Sequence, residues 1–428
     1  MEHRSEAAPL LGEHAATSTT SQPAPQHVSQ RLAFKIAATM FSFATLGLFN
    51  SSIGALLPSI SSHYSLSDLH VSLIFLVGPL GYILAAQLSS SVHFRFGQFG
   101  VALAGPVLQL TAAALLSARP RFGIMLVGFA VQGLGTGLLD GSWCAWAGAM
   151  ERASTVSGLL HGSYSAGAAG APLVVTFITE KDHAWYEWYY VLVVLSIIET
   201  AALTTAFWSA SASVYRQTHP AEAFKDRSKE MLKHPATWCC AAFFLADVGV
   251  ETAISGWIVS FMLRSRSATP YLAGLSSSGF WAGMAVGRLA LGPLTDRIGV
   301  RRATVLYFIL AVLTEILFVV LPHAVVSVVL MVILGFLMGP LFPSGVIVLT
   351  QLLPKELHVA AVSFVASLGQ VGGALLPFGI GAVVEGLGIG VFKYAILVQS
   401  ILAMLLWMVF ARLRSVVAAS QRSLQRED

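Results

Sequence analysis

Long apolar stretches, most of them a little over 20 residues, recur twelve times between about residue 34 and residue 412, separated by short polar segments. A helix needs roughly 20 apolar residues to cross the hydrocarbon core of a bilayer. The pattern therefore predicts an all-α membrane protein with twelve transmembrane helices. A longer polar segment, 211–235, divides these helices six and six.

Positively charged residues decide the predicted orientation of these helices. If the amino terminus is cytoplasmic, the inside segments carry 18 of the 25 Lys and Arg residues and the outside loops carry 6. Cytoplasmic segments of membrane proteins are enriched in these residues. The predicted order is a disordered cytoplasmic tail at 1–33, an N-terminal six-helix bundle at 34–210, a cytoplasmic linker at 211–235, a C-terminal six-helix bundle at 236–412 and a cytoplasmic tail at 413–428.

The composition excludes several classes of protein. Hydrophobic residues make up 56% of the 428 residues, only 11% are charged, and the mean hydropathy is +0.74. Soluble domains carry about 25% charged residues, so a soluble enzyme does not fit. The net charge of +4 is too small to indicate a nucleic-acid partner. Because the sequence has no phosphate-binding Gly-Lys-Ser/Thr loop and no metal-ligand pattern, we expect no cofactor and no ATP-driven step.

The two halves of the chain match each other at a shift of 202 residues. Glycines at 47, 54, 81, 97, 133, 137, 167 and 170 fall on glycines at 249, 256, 283, 299, 335, 339, 369 and 372. Small residues allow membrane helices to approach closely, so a repeated glycine pattern indicates repeated packing. The sequence therefore predicts two parallel six-helix repeats, an architecture found among secondary transporters.

The loop after the eighth predicted helix reads Gly292-Pro-Leu-Thr-Asp296-Arg297-Ile-Gly299-Val-Arg301-Arg302. It resembles the G-x-x-x-D-R-x-G-x-R-R signature of the major facilitator superfamily. Its carboxylate and arginines form a candidate conformational latch, made in one transport state and broken in the other. We assign Arg288, one turn before this loop, to the same latch. In the matching loop of the first half, Ser90 and Phe94 replace the first glycine and the aspartate.

Five short motifs resemble the fucose-permease branch of that superfamily, especially its fungal members. They are Asn50 to Pro58, Gly133 to Asp140, Leu160-His161-Gly162, Val248 to Glu251 with Gly256-Trp257, and Gly339 to Pro343. The resemblance implies that Asp140 matches a helix 4 acid that serves sugar and proton binding. The acid that the branch carries on helix 1 is replaced here by Gly54.

Three acids form the predicted proton-coupling group. An acid inside a membrane helix is a functional candidate because a charge there costs about 2.5–3.5 kcal/mol. Asp140 lies 11 residues before Glu151, or about 16 Å of helix, which places it near mid-membrane. Glu251 lies 13 residues before Arg264, and Asp247 shares its helix face four residues earlier.

The predicted substrate-binding residues are Asn50, Trp143, His161 and Trp257. An amide such as Asn50 can bind substrate hydroxyls or join helices. His161 can relay protons, bind substrate or make an interhelical hydrogen bond. Both tryptophans can form walls of a ligand site, although tryptophan also packs against lipid.

The sequence thus favours a proton-coupled secondary transporter of a small organic solute, sugar-like or a related polar metabolite, working by alternating access. The alternative is a proton antiporter that exports a drug-like or secondary metabolite. It is favoured by a partial antiporter motif, Gly158, Gly167 and Ala171-Pro172, in the fifth helix. A solute receptor without transport is a third interpretation, disfavoured by the short cytoplasmic segments.

The expected partners are a small-molecule substrate, protons and the lipid bilayer, and we expect a monomer. The predicted location is the plasma membrane. The segment Glu6-Ala-Ala-Pro-Leu10-Leu11 fits an acidic dileucine sorting signal, which makes a vacuolar or endosomal membrane the alternative.

Overall fold

A computed structural model describes residues 30–150, 152–180, 184–218, 230–354 and 357–413, and this part of the chain is helical with no strand. The first half contains α1 (Gln30–Tyr64), α2 (Asp68–Ser72), α3 (Ile74–Ser117), α4 (Phe122–Gly148), α5 (Ala153–Glu180) and α6 (Glu187–Ala206). After α7 (Ala212–Thr218), the second half contains α8 (Pro235–Ser265), α9 (Pro270–Ala290), α10 (Gly292–Ile298), α11 (Val300–Val320), α12 (Ala324–Met338), α13 (Leu341–Leu352), α14 (His358–Leu387) and α15 (Phe392–Ala411).

Nine helical segments of the described chain are long and apolar enough to cross a membrane. One of them, Asp68–Ser117, has 50 residues, which is enough for two crossings of about 20 residues each. The helices α5 and α9 have 28 and 21 residues, so they also have the required length. The all-helical membrane architecture is confirmed, and twelve crossings remain the number that these lengths favour.

Glycine shapes the connection between the second and third predicted spans. The apolar pattern alone predicts two separate helices, at about 69–92 and 98–118, but α3 continues from the first stretch through the second and bends at Gly97, where φ is +71°. The Phe99 amide donates to the Ala210 carbonyl at 3.1 Å, and a Cβ on Gly97 would meet the backbone of Ala210 and Ser211. Only glycine fits this position without strain. Gly299, its repeat partner, also has a positive φ, +88°.

One predicted boundary moves, and one apolar stretch contains a break. The first helix begins at Gln30, three residues before the predicted end of the amino-terminal tail. The apolar stretch 324–350 corresponds to one candidate span, Ala324–Leu352, whose helix is interrupted at Gly339-Pro340, because proline has no amide hydrogen and its ring disturbs the preceding turn. Residues 1–29, 219–229 and 414–428, which hold the predicted sorting signal, most of both tails and the middle of the linker, lie outside the described residues.

The predicted internal repeat is confirmed in the packing of the helices. Gly133 of α4 lies against the Gly78 backbone of α3, and Gly335 of α12 lies against the Phe280 backbone of α9. Both residues of the second contact lie 202 positions after those of the first. The pair Gly81 and Gly283 repeats in the same way. It faces Ala130 and Leu134 in the first half and Val332 and Phe336 in the second.

Two buried acids each join two helices of the same bundle. Glu199 of α6 is fully buried and accepts a hydrogen bond from Ser42 of α1 at 2.6 Å. Glu315 of α11 is fully buried and accepts one from Ser400 of α15 at 2.7 Å. Each carboxyl joins two helices of the same half, which is a structural role.

Candidate functional site

Asp140 lies half-buried in α4, and both of its carboxylate oxygens have a donor. The Tyr82 hydroxyl of α3 donates to Oδ2 at 2.7 Å. The Cys144 thiol, one turn further along α4, donates to Oδ1 at 3.5 Å. These two donors can stabilise a carboxylate inside the protein without any ligand.

Polar side chains of α4 follow one face at four-residue spacing: Gln132, Thr136, Asp140 and Cys144. The Gln132 amide donates to the Asn50 side-chain oxygen at 3.1 Å and to the Thr136 hydroxyl at 3.0 Å. The Asn50 amide in turn donates to the Tyr164 hydroxyl of α5 at 3.2 Å. Asn50 therefore joins α1, α4 and α5, and its side chain lies in the central polar network.

His161 of α5 lies beside the Asp140 group. Its Nε2 is 3.8 Å from the Cys144 sulfur, and its ring meets the edge of Phe43 at 5.7 Å between centroids. Phe342 of α13, in the other half, is 6.3 Å from the same ring. Within the described residues, no three His, Cys, Asp or Glu side chains are placed to hold a metal ion.

Asp247 and Glu251 lie one turn apart on α8, on the other side of the site. The Asp247 residue is only 3% exposed, and Glu251 is half-buried. Neither carboxyl has a hydrogen bond or an ion pair with any described residue, although both are within electrostatic range of Arg288. This pair, called the α8 acid pair below, therefore differs from Asp140 in having no donor of its own.

The side chain of Arg288, on α9 of the second half, reaches the first half. Its Nη1 donates to the Ser165 hydroxyl at 2.8 Å and to the His161 carbonyl at 3.4 Å, both on α5. Its Nε donates to the Gly339 carbonyl at 3.3 Å. We expected Arg288 to serve the Gly292–Arg302 loop, but its described contacts lie in the central site, because the side chain leaves α9 towards α5.

The Gly292–Arg302 loop lies at the end of the molecule that also carries Gln30 and Pro235, called the inner end below. Asp296, Arg297 and Arg302 are exposed, and their side chains make no hydrogen bond or ion pair with another described residue. Arg301 donates to two backbone carbonyls at the end of α15, those of Ala411 at 2.9 Å and Leu413 at 3.1 Å. No cross-half latch through this loop is formed between described residues in this conformation.

The two tryptophans predicted to line the site lie elsewhere. Trp143 is fully buried and stacks on Phe207 at 4.4 Å between centroids, whereas Asp140 bonds to Tyr82 and Cys144. Trp257 is fully buried and donates from Nε1 to the Pro377 carbonyl of α14 at 2.8 Å. Packing against a neighbouring helix, rather than a ligand site, accounts for both side chains here.

The opposite end of the molecule, called the outer end, joins the two halves by polar contacts. Arg264 at the end of α8 binds both carboxylate oxygens of Asp68 on α2, at 2.6 and 2.9 Å. The Leu69 amide, also on α2, donates to Glu385 of α14 at 3.2 Å. The sequence gave no sign of these pairs, because their partners lie 196 and 316 residues apart.

Close backbone packing adds to this outer closure. Gly54 of α1 lies so close to Ser255 and Gly256 of α8 that a Cβ would collide with their backbone. Gly274 of α9 similarly faces Thr176 of α5. The rings of Phe75 and Trp257 meet across the halves at 6.2 Å. Trp257 thus belongs to the outer closure.

Comparison with known proteins identifies the family to which this arrangement belongs. The family model of the Major Facilitator Superfamily matches residues 39–264 and 248–427. The chain belongs to the major facilitator superfamily. This places it among membrane transporters, as the loop motif and the repeat predicted.

Three known proteins are similar to this superfamily member. Bypass of stop codon protein 6 of Saccharomyces cerevisiae is 28% identical over 388 residues, which cover 83% of this chain and 78% of the yeast protein. The glucose/mannose transporter GlcP of Bacillus subtilis is 19% identical over 348 residues, or 79% and 85% of the two chains. A crystal structure of the nucleoside transporter NupG shares the fold, with a TM-score of 0.70, 14% identity and coverage of 88% and 98%.

Sequence reasoning missed five polar residues that the superfamily fold brings to the centre. They are Tyr82, Gln132, Cys144, Tyr164 and Ser165. Two of them carried a signal, because Gln132 and Cys144 stand eight residues before and four residues after Asp140 on the same helix face. The two tyrosines and Ser165 carried no comparable signal.

Proposed function

We propose that this superfamily member is a proton-coupled secondary transporter of a small polar organic solute, sugar-like or chemically related. The observation that carries the proposal is the central polar site, in which Arg288 bonds to α5 at His161, beside the Asp140 group, and is within electrostatic range of the α8 acid pair. Such acids inside membrane helices mark proton and substrate pathways. The glucose/mannose transport named for the Bacillus relative supports a polar organic substrate.

Alternating access would use the two ends of the molecule in turn. Contacts between the halves at Asp68–Arg264, Gly54–Ser255 and Gly274–Thr176 close the outer end. At the inner end, between Arg288 and the helix termini, no hydrogen bond or ion pair between described residues joins the halves. The structure therefore supports a cycle in which the outer contacts and an inner latch, including Asp296 and Arg297, form alternately.

The test is proton-driven uptake into proteoliposomes by the Asp140→Asn variant. We expect pH-driven accumulation to be lost while exchange of solute without a pH gradient continues, because asparagine keeps the shape and cannot carry the proton. Glu315→Gln is the matched control, since Glu315 is a buried membrane acid that contacts only its own half. Unchanged pH-driven uptake in Asp140→Asn would contradict the assignment of proton coupling to this residue.

Export by proton antiport is the second candidate function. The partial antiporter motif of α5 includes Pro172, whose carbonyl is close to Gly274 of α9, so this motif lies where the halves cross. The same proteoliposomes separate the two functions. An inward proton gradient accelerates uptake in a symporter and release of preloaded solute in an antiporter. The monomeric state and the plasma-membrane location stay predictions.

A further inference from the structure

The acids of the site divide into two kinds by their hydrogen-bond partners. Asp140 has a donor for each oxygen, from Tyr82 and Cys144. The four oxygens of Asp247 and Glu251 have no described donor, and those of Asp247 keep some access to solvent although the residue is only 3% exposed. A buried carboxylate without donors is costly, so a ligand that brings N–H or O–H groups would stabilise the α8 acid pair.

The cation nearest to the pair is already engaged. Each of the three guanidinium nitrogens of Arg288 has a described partner: Nε the Gly339 carbonyl, Nη1 the Ser165 hydroxyl and Nη2 the Met284 sulfur. No carboxylate lies within ion-pair distance of it among the described residues. These contacts use four of the five N–H groups of the guanidinium, so an anionic ligand would find one N–H group without a described partner and would also have to approach two acids.

Aromatic side chains stand beside the acid pair. The Trp281 indole donates to the hydroxyl of Ser255, one turn after Glu251 on α8, at 3.0 Å. Its ring meets Tyr164 at 5.7 Å between centroids. The Tyr164 hydroxyl is also within electrostatic range of Glu251. Rings next to acceptor oxygens suit a ligand with an apolar face and several donors, or an ammonium group.

We propose a division of roles between the two halves: Asp140 holds the coupled proton, and Asp247 with Glu251 forms the ligand subsite. The subsite takes a solute that donates hydrogen bonds from hydroxyl or ammonium groups and carries no net negative charge. This rests on the proposed transport function, and it adds the substrate's charge class and the residues that recognise it.

The experiment uses six probes of three charge classes, three of them on one sugar skeleton. D-glucose, D-glucosamine and D-glucuronate share a ring, while mannitol, ethanolamine and succinate are open chains of the same three charge classes. Thermal stabilisation of the detergent-purified full chain reports binding. We expect stabilisation by neutral or cationic probes and none by the two anions. A larger effect of the amines than of the polyols would identify an ammonium group as the recognised donor.

Variants locate the bound probe. Hydrogen bonds to a charged group contribute about 1.5–3 kcal/mol, so Glu251→Gln and Asp247→Asn should weaken the apparent affinity about tenfold or more. The control Glu315→Gln should change it less than about twofold, because Glu315 contacts only its own half.

Three results would overturn the subsite: stabilisation by an anion equal to that by its neutral counterpart, no stabilisation by any probe, or equal weakening in Glu251→Gln and Glu315→Gln. Failure of the transport proposal is recognised separately. In that case the probes stabilise the protein with the expected charge preference, but a pH gradient drives no uptake of the bound probe in wild-type proteoliposomes.

Discussion

The two ends of the molecule carry similar charged residues in opposite situations. At the outer end, Asp68 and Arg264 come from different halves and form a two-point ion pair. At the inner end, Asp296 and Arg297 are exposed and have no partner from the other half among the described residues. A charged motif therefore shows where a contact can form, and the conformation decides which of the two ends uses it.

The largest effect is expected when the two halves are prevented from closing at the outer end. In Gly54→Leu, the new side chain would collide with the backbone of Ser255 and Gly256, so the halves could not meet at the outer end. We expect transport to fall about a hundredfold, since one state of the cycle is lost. A reporter cysteine, Thr252→Cys beside Glu251, is placed in a chain whose three native cysteines are changed to serine. In the Gly54→Leu variant this reporter should become reactive to an impermeant maleimide from outside.

Gly123→Leu is the matched control for this prediction. Gly123 begins α4 at the outer end, and nothing lies within 4 Å of its Cβ position. Transport and reporter labelling should therefore stay close to those of the wild type. Normal transport by Gly54→Leu would show that the outer contact seen here is not part of the cycle.

Removing the outer ion pair should have a smaller effect. Exposed ion pairs contribute about 0.2–1 kcal/mol, so Arg264→Gln should raise outside labelling of the reporter by a factor of about 1.4 to 5. The charge-exchanged double variant Asp68→Arg with Arg264→Asp should bring labelling back towards the wild-type level. If the double variant labels more than either single variant, the pair does not hold the halves together.

A substitution in the Gly292–Arg302 loop should shift the equilibrium between the outward-open and outward-closed states in the opposite direction. If Asp296 acts only in the state that is open outside, Asp296→Ala destabilises that state and should lower outside labelling about twofold, the size of a helix-terminus or exposed charge contact. The exposed Arg302→Ala serves as the comparison for a general loss of charge. Increased outside labelling of Asp296→Ala would place the latch in the conformation described here.

The smallest effect is expected at Glu385. Glu385→Ala removes one hydrogen bond, from the Leu69 amide at 3.2 Å, in an exposed position. A net contribution near 0.5 kcal/mol corresponds to about a twofold change in labelling at most. Glu385→Gln keeps an acceptor oxygen and should behave like the wild type, which separates the hydrogen bond from the charge.

Features set by local pattern were predictable from the sequence. Apolar stretches predicted the helices, and glycines at a shift of 202 predicted the contacts that Gly133 and Gly335 make. The four-residue spacing from Gln132 to Cys144 was a usable signal of a polar face, but only Asp140 was selected from it. Each of these signals lies within one helix or within one repeat, where geometry follows from spacing.

Features set by the choice of neighbouring helix were not predictable. Trp143 lies three residues from Asp140, yet it turns towards Phe207 instead of the site. Arg288 lies one turn from the loop motif, yet it reaches α5. In both cases the side chain had two helices within reach, and only the packed structure shows which one it meets.

The two bonds from Arg301 to the carbonyls of Ala411 and Leu413 have a practical consequence. They tie the start of α11 to the end of α15, so a displacement of Leu413 is passed on to the loop that carries Asp296 and Arg297. A fluorescent protein or purification tag fused directly behind Leu413 would disturb these two bonds, and transport rates measured with such a fusion would differ from those of the untagged carrier.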